Sequence, residues 1–418
     1  MRLKFAFEPI IGGVWGDEPK SDAHDMVCVR VADFNDLAGT VSTEKLTQRN
    51  ISPSEQKGRV LRRGDLLLEK SGGGEQTAVG RSVRFDHDFK AVSSNFIALL
   101  RPHKAHDAKF LTYLMRATYH GGGSIPHIKQ TTGIQNLDCS SYLGQDFNFP
   151  KLAEQRRIAN YLDVATGKID RLVGLRRRQM ELLKEQRAAL IQQAVTRGLD
   201  PNVPLKDSGI PWLGKIPGHW RELRIAIAVE KNTNGFVGPT RDILVEDGVR
   251  YLQSLHLKSG EIRFDKPYYV TEEWSRAHSK SILQEGDVLV VQTGDIGQVA
   301  AVPEEFEGCN CHALIILRMR RAYGCGKYLA LLFNAHLGKN ALMRETTGAL
   351  LPHLECGKIR DIRLPFPPPE EQESILEFVQ KENHRFDRLF SAYSRQIEML
   401  GEYRAALIHE AVTGQKAV

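Results

Sequence analysis

The chain has 418 residues, of which 41% are hydrophobic and 26% charged, with 57 basic and 51 acidic side chains. This composition excludes a disordered chain, a collagen and a disulfide-dense secreted scaffold, and no apolar run reaches the roughly 20 residues of a membrane span. The net charge of +6 is unevenly spread, with +2 over residues 1–150, +6 over 151–197, +1 over 198–365 and −3 over 366–418. A mild basic excess is compatible with a polyanionic partner. Six cysteines point to free thiols in a reducing compartment. The first residues are a short, broken apolar stretch closed by Trp15-Gly16-Asp17, which does not read as a signal peptide. Both features predict a cytoplasmic protein.

In chain order, residues 1–150 read as a globular segment. It holds strand-like runs, the strand Gly64-Asp65-Leu66-Leu67-Leu68, a Gly-rich loop at Gly72-Gly73-Gly74 and an apolar strand from Phe96 to Leu100. A short helix around Phe110-Leu111 and a loop at Thr131-Thr132-Gly133 follow. Residues 151–197 contain no proline and are rich in helix formers, which predicts one long helix. Residues 198–220 are rich in Pro and Gly and read as an ordered linker. Residues 221–366 repeat the first plan more faintly. Gly286-Asp287-Val288-Leu289-Val290, Tyr328-Leu329 and Thr346-Thr347-Gly348 echo their first-half counterparts, and a second apolar strand runs from Ala313 to Leu317. Residues 367–418 hold a second long helix.

The helices are copies. Residues 150–196 align without a gap to 367–413, with 20 identities in 47 positions. Both begin with a proline and a Glu-Gln pair (Glu154-Gln155, Glu371-Gln372). Both end in R-A-A-L-I (Arg187–Ile191, Arg404–Ile408) and A-V-T. Phe386, Tyr393, Leu400 and Leu407 recur every seven residues, with Leu389 and Tyr403 adjoining. Ile158, Leu162, Ala165, Ile169, Leu172, Leu183 and Leu190 keep the same register, interrupted by Arg176 and Gln179. A 3.5-residue spacing is a coiled-coil seam. The two seams are expected to bury against each other, giving a rod of roughly 66 Å, and their opposite charges favour that pairing. The basic clusters Arg156-Arg157 and Arg176-Arg177-Arg178 read as a protein-docking face, with a DNA-binding face as the alternative.

No catalytic constellation is present in the sequence. It holds no G-x-x-x-x-G-K-[ST] loop, methyltransferase motif, G-x-S-x-G elbow or H-E-x-x-H pair. Cys309-x-Cys311-His312, with Cys325 and Cys356 further on, lacks paired C-x-x-C spacing and reads as small buried thiols without a metal. His87, His127, His219 and His353 show no partner carboxylates and read as structural or surface groups. Polar residues beside glycine suit readout of phosphates and base edges. The DNA-binding candidates are Lys70, Ser71, Gly72 and Gln76; Lys129, Gln130, Thr131 and Thr132; Gln292, Thr293 and Gly294; and Arg344, Thr346 and Thr347.

The duplicated P-x-x-x-E-Q start and R-A-A-L-I end, the linker Lys206–Trp220 (K-D-S-G-I-P-W-L-G-K-I-P-G-H-W) and T-T-G-I-Q-N-L-D at Thr131–Asp138 together resemble the specificity subunit of type I restriction-modification enzymes. The resemblance spans the chain. It implies an α/β (α+β) architecture with two target recognition domains separated by an antiparallel coiled coil. It implies that each domain reads one half of a bipartite DNA target in the major groove. The helices would dock two modification (methyltransferase) subunits, and with them restriction subunits. The chain itself would be non-catalytic, with S-adenosylmethionine, ATP and Mg belonging to the partners. Two departures stand out. The first half has no copy of the linker motif, and Leu350-Leu351-Pro352-His353-Leu354 replaces I-Q-N-L-D in the second. The rivals are a fused restriction–methylation enzyme, for which the two globular halves leave no room, and a coiled-coil protein-binding scaffold without DNA specificity.

Overall fold

In the computed structural model, which describes the chain except for residues 75–76, 131–132 and 349–351, the residues fall into two compact units. The first is Met1–Arg177 with Tyr393–Val418, and the second is Arg178–Ala392.

The first unit is organised by a six-stranded sheet. Its central strand Leu66–Glu69 is wholly buried and lies between Ile97–Leu100 and Ser82–Arg84, both antiparallel. The aspartate ahead of that strand explains why it starts where it does. Asp65 Oδ2 accepts the Arg62 N–H at 2.8 Å. It also receives a bidentate grip from Arg101, whose Nε and Nη2 lie 2.9 and 2.8 Å from the two carboxylate oxygens. The second unit repeats the device on a four-stranded sheet, Val229–Asn234, Leu314–Met319, Val288–Val291 and Val299–Ala301. Here Asp287 Oδ2 accepts the Gln284 N–H, and Arg318 holds both oxygens at 2.7 and 2.8 Å. A buried carboxylate is tolerable only when its charge and lone pairs are both met, and the duplicated Gly-Asp pair does this in each unit.

Behind each sheet lies a helix, Ala108–His120 in the first unit and Gly326–Asn334 in the second. The second unit differs from the single short helix expected. A further helix, His336–Arg344, follows at once. Ala335 between them is extended (φ −66°, ψ 155°), and the Leu337 N–H donates to Gln192 Oε1 at 3.0 Å instead of continuing the first helix. The linker folds as a hairpin, Leu205–Asp207 against Lys215–Pro217. Trp220 at its end is fully buried and donates its indole N–H to Glu371 Oε2. His219 Nε2 lies 2.7 Å from the same oxygen, so this histidine does have a carboxylate partner, contrary to the reading from sequence. The chain turn between Pro217 and Trp220 brings it to a helix 151 residues away, a contact that local spacing cannot reveal.

The two long helices are Leu152–Arg197 and Pro369–Thr413, at 46 and 45 residues. Glu154 and Glu370-Glu371 sit in their first turns, where the helix dipole favours acids. Each ends one residue or so before a glycine in the left-handed region, Gly198 (φ +72°) and Gly414 (φ +77°), which supplies the turn that other residues resist. Within the first unit the helices run antiparallel: Arg404 Nε donates to Asp170 Oδ1 at 2.9 Å, and the Arg176 guanidinium lies 5.2 Å from the centre of the Tyr393 ring. Within the second, Arg187 donates to Asp387 Oδ1 at 2.9 Å and to Asn383 Oδ1 at 2.8 Å. Arg187 and Arg404 occupy the same place in the repeat, as do Asp170 and Asp387. The two ion pairs are therefore one interaction made twice with the copies exchanged.

Along the seam, Leu162, Ile169, Phe386 and Leu407 are buried, and Leu183, Leu190, Leu389, Tyr393 and Leu400 are half-buried. Leu172 corrects the expected seam, being 48% exposed, and Tyr403 is 56% exposed. The second seam position lies one residue further on, at Thr166, Val173 and Met180 in one helix and Asn383, Phe390, Ile397 and Arg404 in the other. The expected register followed leucines, but the fold seats polar residues there. Thr166 bonds back to the Leu162 carbonyl, and Asn383 and Arg404 find partners on the opposing helix. Leu162, Leu407 and Ala411 join the core of the first unit, and Ala194, Ile375 and Val379 that of the second.

Candidate nucleic-acid interface

The polar loops singled out in sequence are not scattered. In the first unit the short strand Ser71–Gly72 continues directly from the buried strand Leu66–Glu69. Strand Ile128–Gln130 lies elsewhere in sequence. Strand Gln135–Leu137 pairs with both, setting Asn136 opposite Ser71 on one side and Lys129 on the other. The Ser71 hydroxyl donates to Asn136 Oδ1. Gln135 organises the loop from within: its Oε1 accepts the Val79 N–H at 3.0 Å and its Nε2 donates to the Gly74 carbonyl. Gly72 (φ +139°) is required because a Cβ there would come within 2.8 Å of Glu69 Oε1, the carboxylate that holds Arg81. Lys70 is half-buried, its backbone joined to Phe96 and Leu137 on either side.

The second unit builds the same figure from other residues. Strand Thr346–Thr347 pairs with His353–Leu354, with Thr347 opposite His353. Thr293 bridges to His353 from the other side, and its hydroxyl lies 2.8 Å from His353 Nδ1. Thr293–His353 thus stands where Ser71–Asn136 stands in the first unit, with Thr347 in the place of Lys129. The register corrects one apparent echo, because Thr346-Thr347 corresponds to Ile128-Lys129 and not to Thr131-Thr132. Cys356 Sγ and the Cys356 carbonyl tie the following turn to Asn232 of the main sheet.

Lys129, Ser71, Gly72, Thr293, Thr346 and Thr347 therefore come together as two equivalent polar clusters, one in each unit. Gly294 lies in the turn after Thr293. Two candidates do not join them. Gln292 is 4% exposed, its side-chain oxygen buried with no hydrogen-bond partner among the described residues, so it is not a surface contact. It follows directly on the wholly buried strand Val288–Val291, and its carbonyl accepts the Leu354 N–H. Arg344 lies instead over the Trp212 ring of the linker hairpin at 5.2 Å. Gln76, Thr131, Thr132 and the side chain of Gln130 lie outside the described residues. Asn136 and His353 were not singled out as site residues, although they sit at the centre of each cluster. Their positions, 217 apart like those of the helix repeat, were the available signal.

The electrostatics of the first cluster are local. Lys129 Nζ lies 2.8 Å from Asp138 Oδ2, and this contact, followed by the Ser141 N–H, holds the Asp138 carboxyl below the usual range. Lys129 is otherwise largely exposed.

Cys309 and Cys311 are buried in an apolar cluster. Burial pushes the Cys309 thiol up to about 11 and the Cys311 thiol higher still. His312 lies near Tyr251, and Cys325 precedes helix Gly326–Asn334. Among the described residues no group of three or more His, Cys, Asp or Glu side chains is arranged to hold a metal ion, and no helix is long and apolar enough to cross a membrane. A cavity of about 620 Å³ in the first unit, lined by Leu37, Arg116, His120, Arg404 and Ile408 among others, is separate from the polar cluster. Its Arg116 is buried, donates to the Asp36 and Leu37 carbonyls, and is lowered by burial to about 10.

Two α/β units carrying matched polar clusters, with a pair of antiparallel helices, define an internally duplicated α/β protein. Residues 242–392 match the family model of the type I restriction modification DNA specificity domain. The chain is 20% identical over 329 residues to the type I restriction enzyme MjaVIII specificity subunit of Methanocaldococcus jannaschii, a match that covers 78% of this chain and 74% of that one. Its fold is shared with a chain solved in work on complex assembly and conformational transition of the type I R-M system, at a TM-score of 0.74 and 17% identity, covering 100% of this chain and 97% of that one. It is shared also with the HsdS subunit from Thermoanaerobacter tengcongensis, at a TM-score of 0.56 and 16% identity, covering 100% and 96%. These findings bear out the likeness to type I specificity subunits that the duplicated motifs carry in the sequence.

Proposed function

We propose that this chain is the DNA-reading subunit of a type I restriction-modification assembly, each globular unit reading one half of a bipartite duplex target. The observation that carries the reading is the matched pair of clusters, Ser71–Asn136 with Lys129 and Thr293–His353 with Thr347. The same backbone frame holds different side chains. One frame with two chemistries suits a reader of two unlike half-sites, because base edges are told apart by the pattern of donors and acceptors set against them. The long helices dock two modification (methyltransferase) subunits, and restriction subunits join through these. The chain performs no chemistry of its own. S-adenosylmethionine, ATP and Mg are used by the partners, and the assembly works in the cytoplasm, where duplex DNA and these cofactors are found.

Methylation mapping of a host carrying the complete system, with and without this chain, tests the reading. Loss of one bipartite methylated motif is the expected result, and an unchanged methylome would falsify it. The first cluster allows a finer test on the assembled complex. Lys129→Ala is expected to flatten the dependence of log K on log salt by about 0.9. Asp138→Asn, which keeps the helix-capping oxygen but releases Lys129, should leave that slope unchanged or steeper. Fluorescence anisotropy of a target duplex over about 50–200 mM salt measures both.

A further inference from the structure

The Glu-Gln pair that opens each long helix has two fates. Glu371 binds the linker residues His219 and Trp220, whereas Glu154 contacts Arg157 on its own helix. The glutamines behave alike. Gln155 is 1% exposed. Its Oε1 accepts the Asp107 N–H at 2.9 Å, and its Nε2 donates to the Pro150 carbonyl at 2.8 Å and lies 3.1 Å from His106 Nδ1. Gln372 is fully buried. Its Oε1 accepts the Cys325 N–H at 3.3 Å, and its Nε2 donates to the carbonyls of Pro367 at 3.0 Å and Tyr323 at 2.7 Å.

Asp107 and Cys325 are the residues that start the helix packed behind each sheet. Pro150 and Pro367 are the prolines that lead into each long helix. One amide in each unit therefore ties three things together: the entry to the long helix, its first turn and the start of the sheet-backing helix. The fit is close. Gly324 (φ +123°) lies so near that a Cβ there would come within 1.8 Å of Gln372 Oε1. Apolar contacts of Ile158 and Leu162, or of Ile375 and Val379, hold each helix to its unit, but such contacts are non-directional. The amide fixes rotation and angle because its hydrogen bonds are directional.

We propose that Gln155 and Gln372 are positioning residues that set the direction in which each long helix leaves its globular unit, and that they thereby limit the spacing tolerated between the two half-sites. This rests on the DNA-reading function proposed above. The same chain of residues leads from each amide along the helix into the other unit, so a loosened start lets the second reading surface shift without altering its own bases.

The test uses the complete system in its host, comparing wild type with Gln155→Leu and Gln372→Leu, which keep volume but not the bonds. Each variant is expected to methylate the wild-type half-sites and, in addition, sites whose spacer is longer or shorter by one base pair. Amide exchange on the full chain should show the Asp107 N–H in Gln155→Leu, and the Cys325 N–H in Gln372→Leu, exchanging at least about tenfold faster than in wild type. Folded variants confined to the wild-type spacer overturn the proposal, as does loss of base identity within one half-site. Should the leucine variants fail to accumulate, exchange in the wild type decides. Asp107 and Cys325 amides as protected as the central strands support the clamp, and rapid exchange overturns it. A wild-type chain that yields no bipartite motif would instead overturn the function on which this rests.

Discussion

Replacing residues 221–366 with the corresponding segment of a type I specificity subunit is expected to change one half of the methylated motif completely and leave the other half intact. The expectation follows from the separation of the two clusters. Ser71, Lys129 and Asn136 belong to the first unit, and Thr293, Thr347 and His353 to the second. The graft must keep the Gln372 contacts, because these cross between Cys325 and Tyr323 in the replaced segment and the second long helix. Each mismatched base pair typically costs about 1–3 kcal/mol, so a half-site of several bases moves affinity by several orders of magnitude. Methylation mapping reads the outcome. A motif altered in both halves, or in neither, would contradict the assignment of one half-site to each unit.

The largest expected loss of stability comes from Asp287→Ala. Asp287 is fully buried, and both its oxygens are held by Arg318, whose pKa is raised chiefly by that hydrogen bond. Removing the carboxylate leaves a guanidinium in the core edge without its counter-ion, at a cost of about 3–5 kcal/mol. For a unit of this size that is roughly 6–20 °C in melting temperature. The double variant Asp287→Leu/Arg318→Met should recover most of the loss, since no charge is then stranded. Calorimetry of the three proteins settles the point: equal destabilisation of single and double variants would mean that the ion pair is not what holds Val288–Val291 in register with Leu314–Met319.

The architecture was legible from the sequence because it is written twice. Helix formers without proline, a seven-residue recurrence and 20 matches in 47 positions leave little else for residues 151–197 and 367–413 to be. Leu162, Ile169, Phe386 and Leu407 are buried, but Leu172 and Tyr403 are exposed. Heptad counting rewards apolar side chains, and here Thr166, Asn383, Arg187 and Arg404 occupy the inner face by bonding across or backwards. The site was legible in part. Gly-flanked polar loops pointed to Ser71, Lys129, Thr293 and Thr347, yet nothing local announced that strand Gln135–Leu137 would pair with both loops. Gln292 looked like its polar neighbours, and only its burial directly after the strand Val288–Val291 takes it out of reach. His219 and Trp220 find Glu371 across about 150 residues, a distance over which residue spacing carries no information.

The stacking of Arg176 on Tyr393 has a consequence for the ancestry of this molecule. These two residues are counterparts in the repeat, so a half-length forebear associating with a second copy of itself would have set that position against its own twin. Two tyrosines can tolerate such an encounter, but two guanidiniums repel. An arginine facing a tyrosine is an attractive pair, so the two unlike helices of the fused form would favour each other over a like-with-like pairing. Divergence of a single residue pair would thus have helped turn a symmetric partnership into an exclusive one, leaving the two reading surfaces free to evolve apart.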